Sequence, residues 1–275
     1  MMNRRTMLTS AAALAALSAT GARAAARKIG LQLYTVRAIF EPDPVGTLEK
    51  VAAIGYREVE YGGGGYDRMD HAMLRKTQDR LGLTAPSIHV GYDEMLTNFD
   101  ACVARGKALG ANTLILAWMG PEHRNAAAWE KAVGNFNRFA KDLKKAGLGF
   151  AYHNHDFEFL VKPDGVSLFE RLLKLRDPLV QFELDLFWVV KAGEDPKALI
   201  RRLAGHIYAY HVKDKTAEGG MASVGAGTID FAGIFTLNRL SGVRHFYVEN
   251  DMAPAPYIPD ITASFQHLSK LLAKA

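Results

Sequence analysis

Four short segments in the second half of the chain end a β-type run on a residue able to hold a metal ion. They are Ala151-Tyr152-His153-Asn154-His155, Phe182-Glu183-Leu184-Asp185, Tyr210-His211-Val212-Lys213 and Tyr247-Val248-Glu249-Asn250. Imidazole and carboxylate donors brought by several strands to one end of a sheet make a divalent-cation site. Asp185, His211 and Glu249 are the strongest candidates, because each follows an apolar run and falls in the inward phase of its own strand. Any one of them alone is more often a satisfied structural group, bonded to backbone or paired with Lys213. Together they point to shared ligation. An oxygen-rich donor set with one or two imidazoles suits Mn²⁺, Mg²⁺, Co²⁺ or Zn²⁺, and such chemistry belongs to an enzyme.

The elements that must position these residues alternate along the chain. The spacing predicts strands at 29–34, 58–61, 85–90, 113–118, 148–153, 180–185, 207–212 and 245–249. Helices are expected near 45–54, 69–81, 94–109, 126–146, 167–175, 196–203, 231–240 and 261–272. Glycines at 55, 82, 110, 147, 205 and 242 stand where a left-handed residue would end a helix. Eight βα units over residues 27–275 match a single-domain (β/α)8 TIM barrel. A doubly wound sheet is less apt, since no G-x-G-x-x-G follows the first strand. Gly62–Gly65 lacks a following Lys-Ser/Thr and reads as a flexible loop, not a phosphate cradle.

Alternation within the strands supports a barrel with a polar lumen. Gln181, Glu183 and Asp185 oppose Val180, Phe182 and Leu184, while Ala209, His211 and Lys213 oppose Tyr210 and Val212. Gly30, Gln32 and Tyr34 share the inward phase of the first strand. Gln32, Tyr34, Glu60, His89 and Trp188 are candidate substrate contacts, although a buried hydrogen-bonded scaffold is the plainer role for Glu60 and His89. Trp188 and Trp118 offer rings on which a ligand face can stack. Lys213 can polarise a carbonyl or pair with Asp185 or Glu183. Asp230 fits a helix N-cap, residues 122–124 a solvated loop, and Cys102 a small buried hydrophobe.

Several stretches also carry a resemblance. His-Asn-His-Asp-Phe-Glu-Phe (153–159), Glu-Leu-Asp-Leu-Phe-Trp (183–188), Lys-Ala-Gly-Glu-Asp-Pro (191–196), His-Val-Lys-Asp (211–214), Val-Gly-Ala-Gly-Thr-Ile-Asp-Phe (224–231) and Val-Glu-Asn-Asp (248–251) are its main elements. With Leu-Gln-Leu-Tyr-Thr-Val-Arg (31–37), the series resembles the sugar phosphate isomerase/epimerase superfamily, or xylose isomerase-like TIM barrels. The resemblance implies a metal held by Glu, Asp, His and Glu after strands five to eight. Asp185, His211 and Glu249 match three of these. The strand-five Glu is replaced by His153 or His155, of which His153 ends the strand proper.

The resemblance further implies a keto sugar as substrate, processed through an enediolate by Glu249 with Glu158, Lys213 or His155 as further catalytic groups. A lyase or hydratase acting on a 3-keto-glycoside is the alternative, since the lost strand-five Glu removes one of two opposed bases. A non-catalytic sugar-binding protein is the third reading.

The chain has 275 residues, 49% hydrophobic and 23% charged, with a formal charge of +5. Asn3-Arg4-Arg5-Thr6-Met7-Leu8, an Ala/Leu-rich run to Leu17 and Ala22-Arg23-Ala24 form a twin-arginine export signal over residues 1–26. Its apolar run is too short for a stable membrane anchor. Cleavage removes Arg4, Arg5 and Arg23 with no acidic residue, leaving a charge of about +2 and no basis for nucleic-acid binding. The expected location is the periplasm. A reporter fused to residues 1–30 should be exported through the twin-arginine route, and Arg4→Lys with Arg5→Lys should abolish that export. Unchanged passage of the double variant would refute the assignment.

Overall fold

The computed structural model describes residues 27–274; the expected signal, residues 1–26, lies outside them. Eight parallel strands carry the fold: β1 (Gly30–Gln32), β2 (Glu58–Glu60), β3 (Ser87–Val90), β4 (Thr113–Leu116), β5 (Gly149–His153), β6 (Val180–Asp185), β7 (Ile207–Val212) and β8 (His245–Val248). Their order is β2-β1-β8-β7-β6-β5-β4-β3. Parallel bridges Glu58↔Thr84 and Tyr61↔Ile88 bring β3 back to β2 and close the ring. The architecture is the expected (β/α)8 barrel with helices outside.

Sequence period explains the two faces. Outward residues such as Leu31, Val59, Leu114, Phe150, Phe182 and Phe246 are buried beneath the helices in one apolar shell. Trp129 of the helix Ala126–Lys145 is fully buried there, and its Nε1–H donates to the Leu168 carbonyl at 2.8 Å. The lumen is layered. Its floor is a small apolar cluster of Ile115, Ala151, Tyr208, Ala209 and Tyr247. A register shift between Phe182 and Glu183, where β6 meets β7, accompanies the presence of both Tyr208 and Ala209 in that cluster. Polar residues occupy the tiers above.

Local differences from the expected elements have local causes. β1 stops at Gln32, whose side-chain oxygen accepts from the Tyr34 N–H at 3.0 Å as the chain enters the 3-10 turn Leu33–Val36. Tyr34 therefore leaves the strand and stands at the rim. The helix expected over 94–109 divides at Asn98 (φ −134°, ψ 41°) into Tyr92–Thr97 and Phe99–Leu109. The helix expected over 231–240 divides into Phe231–Phe235 and Asn238–Ser241. An additional helix, Leu186–Lys191, starts directly at the end of β6. No helix among the described residues is long and apolar enough to cross a membrane.

Gly62–Gly65 is a fitted turn: a Cβ at Gly62 would strike the Gln32 amide, and one at Gly63 the Tyr34 ring. In the lumen, a Cβ at Gly30 would run into the Tyr247 ring, so the glycine leaves room for the floor. Gly30→Ala should destabilise the barrel by roughly 1–3 kcal/mol through overpacking. Chemical denaturation read by circular dichroism checks this, and an unchanged midpoint would show that Tyr247 moves without cost.

Candidate metal centre

Two buried polar tiers lie above the apolar floor. The lower tier is built on Glu60 at the end of β2 and Glu183 of β6, both fully buried. Glu60 Oε2 faces His211 Nε2 at 2.8 Å and accepts from Gln32 Nε2 at 2.8 Å; its other oxygen accepts from Ser87 Oγ. Glu183 Oε2 lies 2.8 Å from His89 Nε2 and 3.1 Å from His153 Nδ1. Burial pushes both carboxyls up, yet the imidazoles outweigh it, and Glu183 ends at about 2. For His89, burial opposes the charge, but Glu60 and Glu183 prevail and raise it to about 9.

The upper tier is formed where β6, β7 and β8 end. Asp185 Oδ1 accepts from the Trp188 N–H at 3.0 Å and so caps the helix that follows, which fixes the carboxylate and turns Oδ2 to a separate partner. Lys213 Nζ stands 3.1 Å from Asp185 Oδ2, 2.8 Å from Glu249 Oε2 and 3.1 Å from Asp251 Oδ1. His211 Nδ1 is 2.6 Å from Glu249 Oε2. Burial disfavours the Lys213 and His211 charges, but the surrounding carboxylates hold both well above their ordinary ranges. Burial also works against the Glu249 charge, and Lys213 and His211 overcome it, keeping Glu249 well below the usual carboxylate range. Asp185 and Asp251 end above it because burial dominates, Asp251 at about 6.

The donor set fits a divalent cation. Asp185, His211 and Glu249 each offer a ligand atom, all within 4.8 Å of one another. Asp185 Oδ2, His211 Nδ1 and Glu249 Oε2 are buried without a directed hydrogen bond, despite the close charged neighbours. Two carboxylate oxygens and one imidazole nitrogen suit a borderline or hard ion. Beneath them, Glu60 engages the opposite nitrogen of His211, the arrangement by which a carboxylate orients a ligating imidazole.

His153 comes to the edge of this set, its Nε2 3.9 Å from Asp185 Oδ2. It also belongs to a lower group with His89, Glu183 and His211, whose donor atoms likewise lie within 4.8 Å of one another. His155 lies farther out, its ring 4.7 Å from Trp118 and 5.3 Å from Trp188. Burial first, and then Lys213, hold its pKa well below the ordinary range.

Glu158 does not join the site. Its oxygens accept from the Tyr152 hydroxyl at 2.6 Å and the His155 N–H at 2.8 Å. Tyr152 packs outward against Trp129 and Phe136, so Glu158 is part of the outer shell, where burial raises it to about 8. Gln32 and Glu60 are likewise enclosed, bonded to each other below the metal tier, and do not line the mouth cavity. Lys213 pairs with Asp185, Glu249 and Asp251, and not with Glu183.

Above the tiers opens a cavity of about 570 Å³. Its lining includes Tyr34, His89, His153, His155, Trp188, Lys213 and Glu249 from the expected set. Asp251 and Glu183 were not singled out from sequence. Glu183 shares the inward phase of Asp185, a usable signal, whereas Asp251 lies in a loop with no periodicity to reveal it.

The family model for the xylose isomerase-like TIM barrel matches residues 48–257. The chain belongs to that family. Among solved structures, a sugar phosphate isomerase/epimerase from Parabacteroides distasonis ATCC 8503 is 26% identical with a TM-score of 0.76, covering 92% of this chain and 97% of that one. The probable 3-DHS dehydratase AsbF of Bacillus anthracis, involved in petrobactin synthesis, is 13% identical with a TM-score of 0.70, covering 88% and 98%. A xylose isomerase-like TIM barrel protein from Mycobacterium smegmatis, in complex with magnesium, is 12% identical with a TM-score of 0.67, covering 90% and 97%. Comparison with functionally curated proteins returns no match.

Asp185→Ala and Glu249→Ala should each lose most Mn²⁺ affinity in calorimetric titration while the barrel still folds. Glu60→Gln should weaken binding by roughly 10–100-fold, because it touches the ligand His211 and not the ion. Wild-type affinity in both alanine variants would make the constellation structural.

Proposed function

We propose that the chain enolises a keto sugar at the C-terminal mouth of the barrel, acting as a divalent-metal-dependent isomerase or epimerase after export to the periplasm. The observation that carries this reading is the convergence of Asp185 Oδ2, His211 Nδ1 and Glu249 Oε2, buried and without directed hydrogen bonds, beside the mouth cavity. The 26% identity to a sugar phosphate isomerase/epimerase supports it. Asp185, His211 and Glu249, with His153 alongside, would hold Mn²⁺, Mg²⁺, Co²⁺ or Zn²⁺, which supplies Lewis acidity toward a sugar carbonyl and adjacent hydroxyl.

The protein's own groups account for the proton. Glu249 lines the cavity and is kept ionised by Lys213 at 2.8 Å, so it is the carboxylate able to receive a proton from the carbon next to the carbonyl. Lys213 also lines the cavity and donates toward negative charge developing on oxygen. His155 lines the same cavity and, kept neutral by burial and Lys213, is the group able to accept a second proton.

Because Glu158 faces the outer shell, it does not oppose Glu249 across the cavity; of the other lining carboxylates, Asp251 pairs with Lys213 and Asp156 follows His155 on the loop after β5. A proton taken and returned on one face moves a carbonyl between neighbouring carbons, whereas inverting a carbon needs a group on each face. With Glu158, the expected second base, turned away from the cavity, one-base isomerisation is the preferred form. The same observation favours a second reading, elimination from a 3-keto-glycoside, with Glu249 as base and the protonated Lys213 as the proton donor to the leaving oxygen.

A metal-analysed preparation incubated with keto sugars and keto-glycosides in D₂O tests both by NMR. Deuterium should enter next to the carbonyl, with or without release of the glycosidic group. Glu249→Gln should slow this roughly 10²–10⁴-fold, whereas Glu158→Gln should retain it within a few fold. No exchange and no elimination by metal-replete protein would sink the proposal. An equal loss in Glu158→Gln would restore a two-base scheme.

A further inference from the structure

The charge and the rim of the mouth cavity constrain what enters it. Its lining includes the carboxylates of Asp156, Glu249 and Asp251 and a single lysine or arginine, Lys213. That ammonium is already enclosed by Asp185, Glu249 and Asp251. The neighbouring arginines are committed elsewhere. Arg37 lies 4.0 Å from the Tyr34 ring centroid and donates to the Tyr34 and Asp251 carbonyls. Arg124 lies 4.6 Å from Trp118 and 3.7 Å from Phe157, and donates to the Met119 carbonyl. Neither lines the cavity. The nearby glycine turn makes room for Gln32 and Tyr34 and is filled by them. Within the lining itself a phosphate dianion would thus meet three carboxylates and no lysine or arginine besides the enclosed Lys213, the ammonium of Lys191 lying over the Trp188 ring outside it.

The rim is aromatic instead. Trp118 is 50% exposed and Tyr34 39%, and both line the cavity with Trp188. The Trp118 indole is held by Arg124 and by edge contacts to His155 and Phe157, so it offers a pre-positioned surface. A cavity of about 570 Å³ is in the range that encloses drug-sized ligands and has room beyond one sugar ring.

We infer that the cavity takes an uncharged glycoside, with one sugar ring over the polar tiers and a second ring, sugar or aryl, stacked on Trp118, and that it rejects phosphorylated sugars. The inference rests on the proposed function for the identity of the inner ring as the reacting sugar.

Calorimetric titration of the full mature protein with methyl, 4-nitrophenyl and disaccharide forms of gluco-, galacto-, manno- and xylosides tests it, together with the 6-phosphates of the hexosides. For at least one sugar, the two-ring forms should bind about tenfold tighter than the methyl glycoside, and the 6-phosphate about tenfold weaker than its parent. Trp118→Ala should abolish the two-ring advantage, and Trp118→Phe should retain much of it. A 6-phosphate that binds as tightly as its parent, an advantage that survives Trp118→Ala, or no binding of any two-ring form would overturn the inference. Which second ring binds better separates a disaccharide from an aryl glycoside. Deuterium exchange without a two-ring preference sinks the rim assignment alone, whereas two-ring binding without exchange or elimination sinks the enolisation reading alone.

Discussion

Taking an ionised side chain out of water costs several kcal/mol unless a partner of opposite charge is fixed beside it, and that cost governs how the upper end of this barrel is built. Asp185, Glu249 and Asp251 surround the Lys213 ammonium, and His211 sits between Glu249 above and Glu60 below. Removing a single member would leave its partner charged and buried, a loss of about 3–5 kcal/mol in comparable pairs. Such an array is poor at adding stability over an apolar core. Its value lies in holding charges in one geometry at a place where a cation and a polar substrate can meet them.

The layering of the lumen follows from the same constraint. An apolar floor of Ile115, Ala151, Tyr208, Ala209 and Tyr247 closes the lower end, so the polar tiers meet solvent from one side only. Glu60 and Glu183 then act as a buried platform, fixing which nitrogen of His211 and of His153 is engaged from below. Freedom is restricted further at Asp185, whose Oδ1 is tied to the Trp188 N–H. Each of these contacts narrows the orientation of a group facing the mouth, which is what positioned acid–base and ligating groups require.

Position relative to the barrel wall separates residues that look equivalent in a motif. Glu158 and Glu249 are both buried carboxylates near the mouth, yet one bonds Tyr152 in the outer shell and the other meets Lys213 in the lumen. Burial, only partly offset by hydrogen bonds and by Arg124, raises Glu158 to about 8, while Lys213 and His211 hold Glu249 well below the usual range. The opposite shifts of the two glutamates thus follow from which side of the barrel wall each side chain occupies.

The barrel itself was legible in the sequence because period-two strands, helical runs and closing glycines recur in one order, each signal being local. The inward phase of Asp185, His211 and Glu249 was legible for the same reason: alternation along a strand is fixed by backbone geometry. Three features required the tertiary structure. Tyr34 left the strand because the Gln32 side chain captured its N–H, which no periodicity announces. Glu158 turned outward because the short helix Phe157–Leu160 faced it toward Tyr152, and Glu60 became a support for His211, a contact spanning 151 residues of sequence. A single sequence specifies the face of a strand through local stereochemistry, whereas the partner of a buried charge is chosen by elements distant in the chain that meet only when the barrel closes.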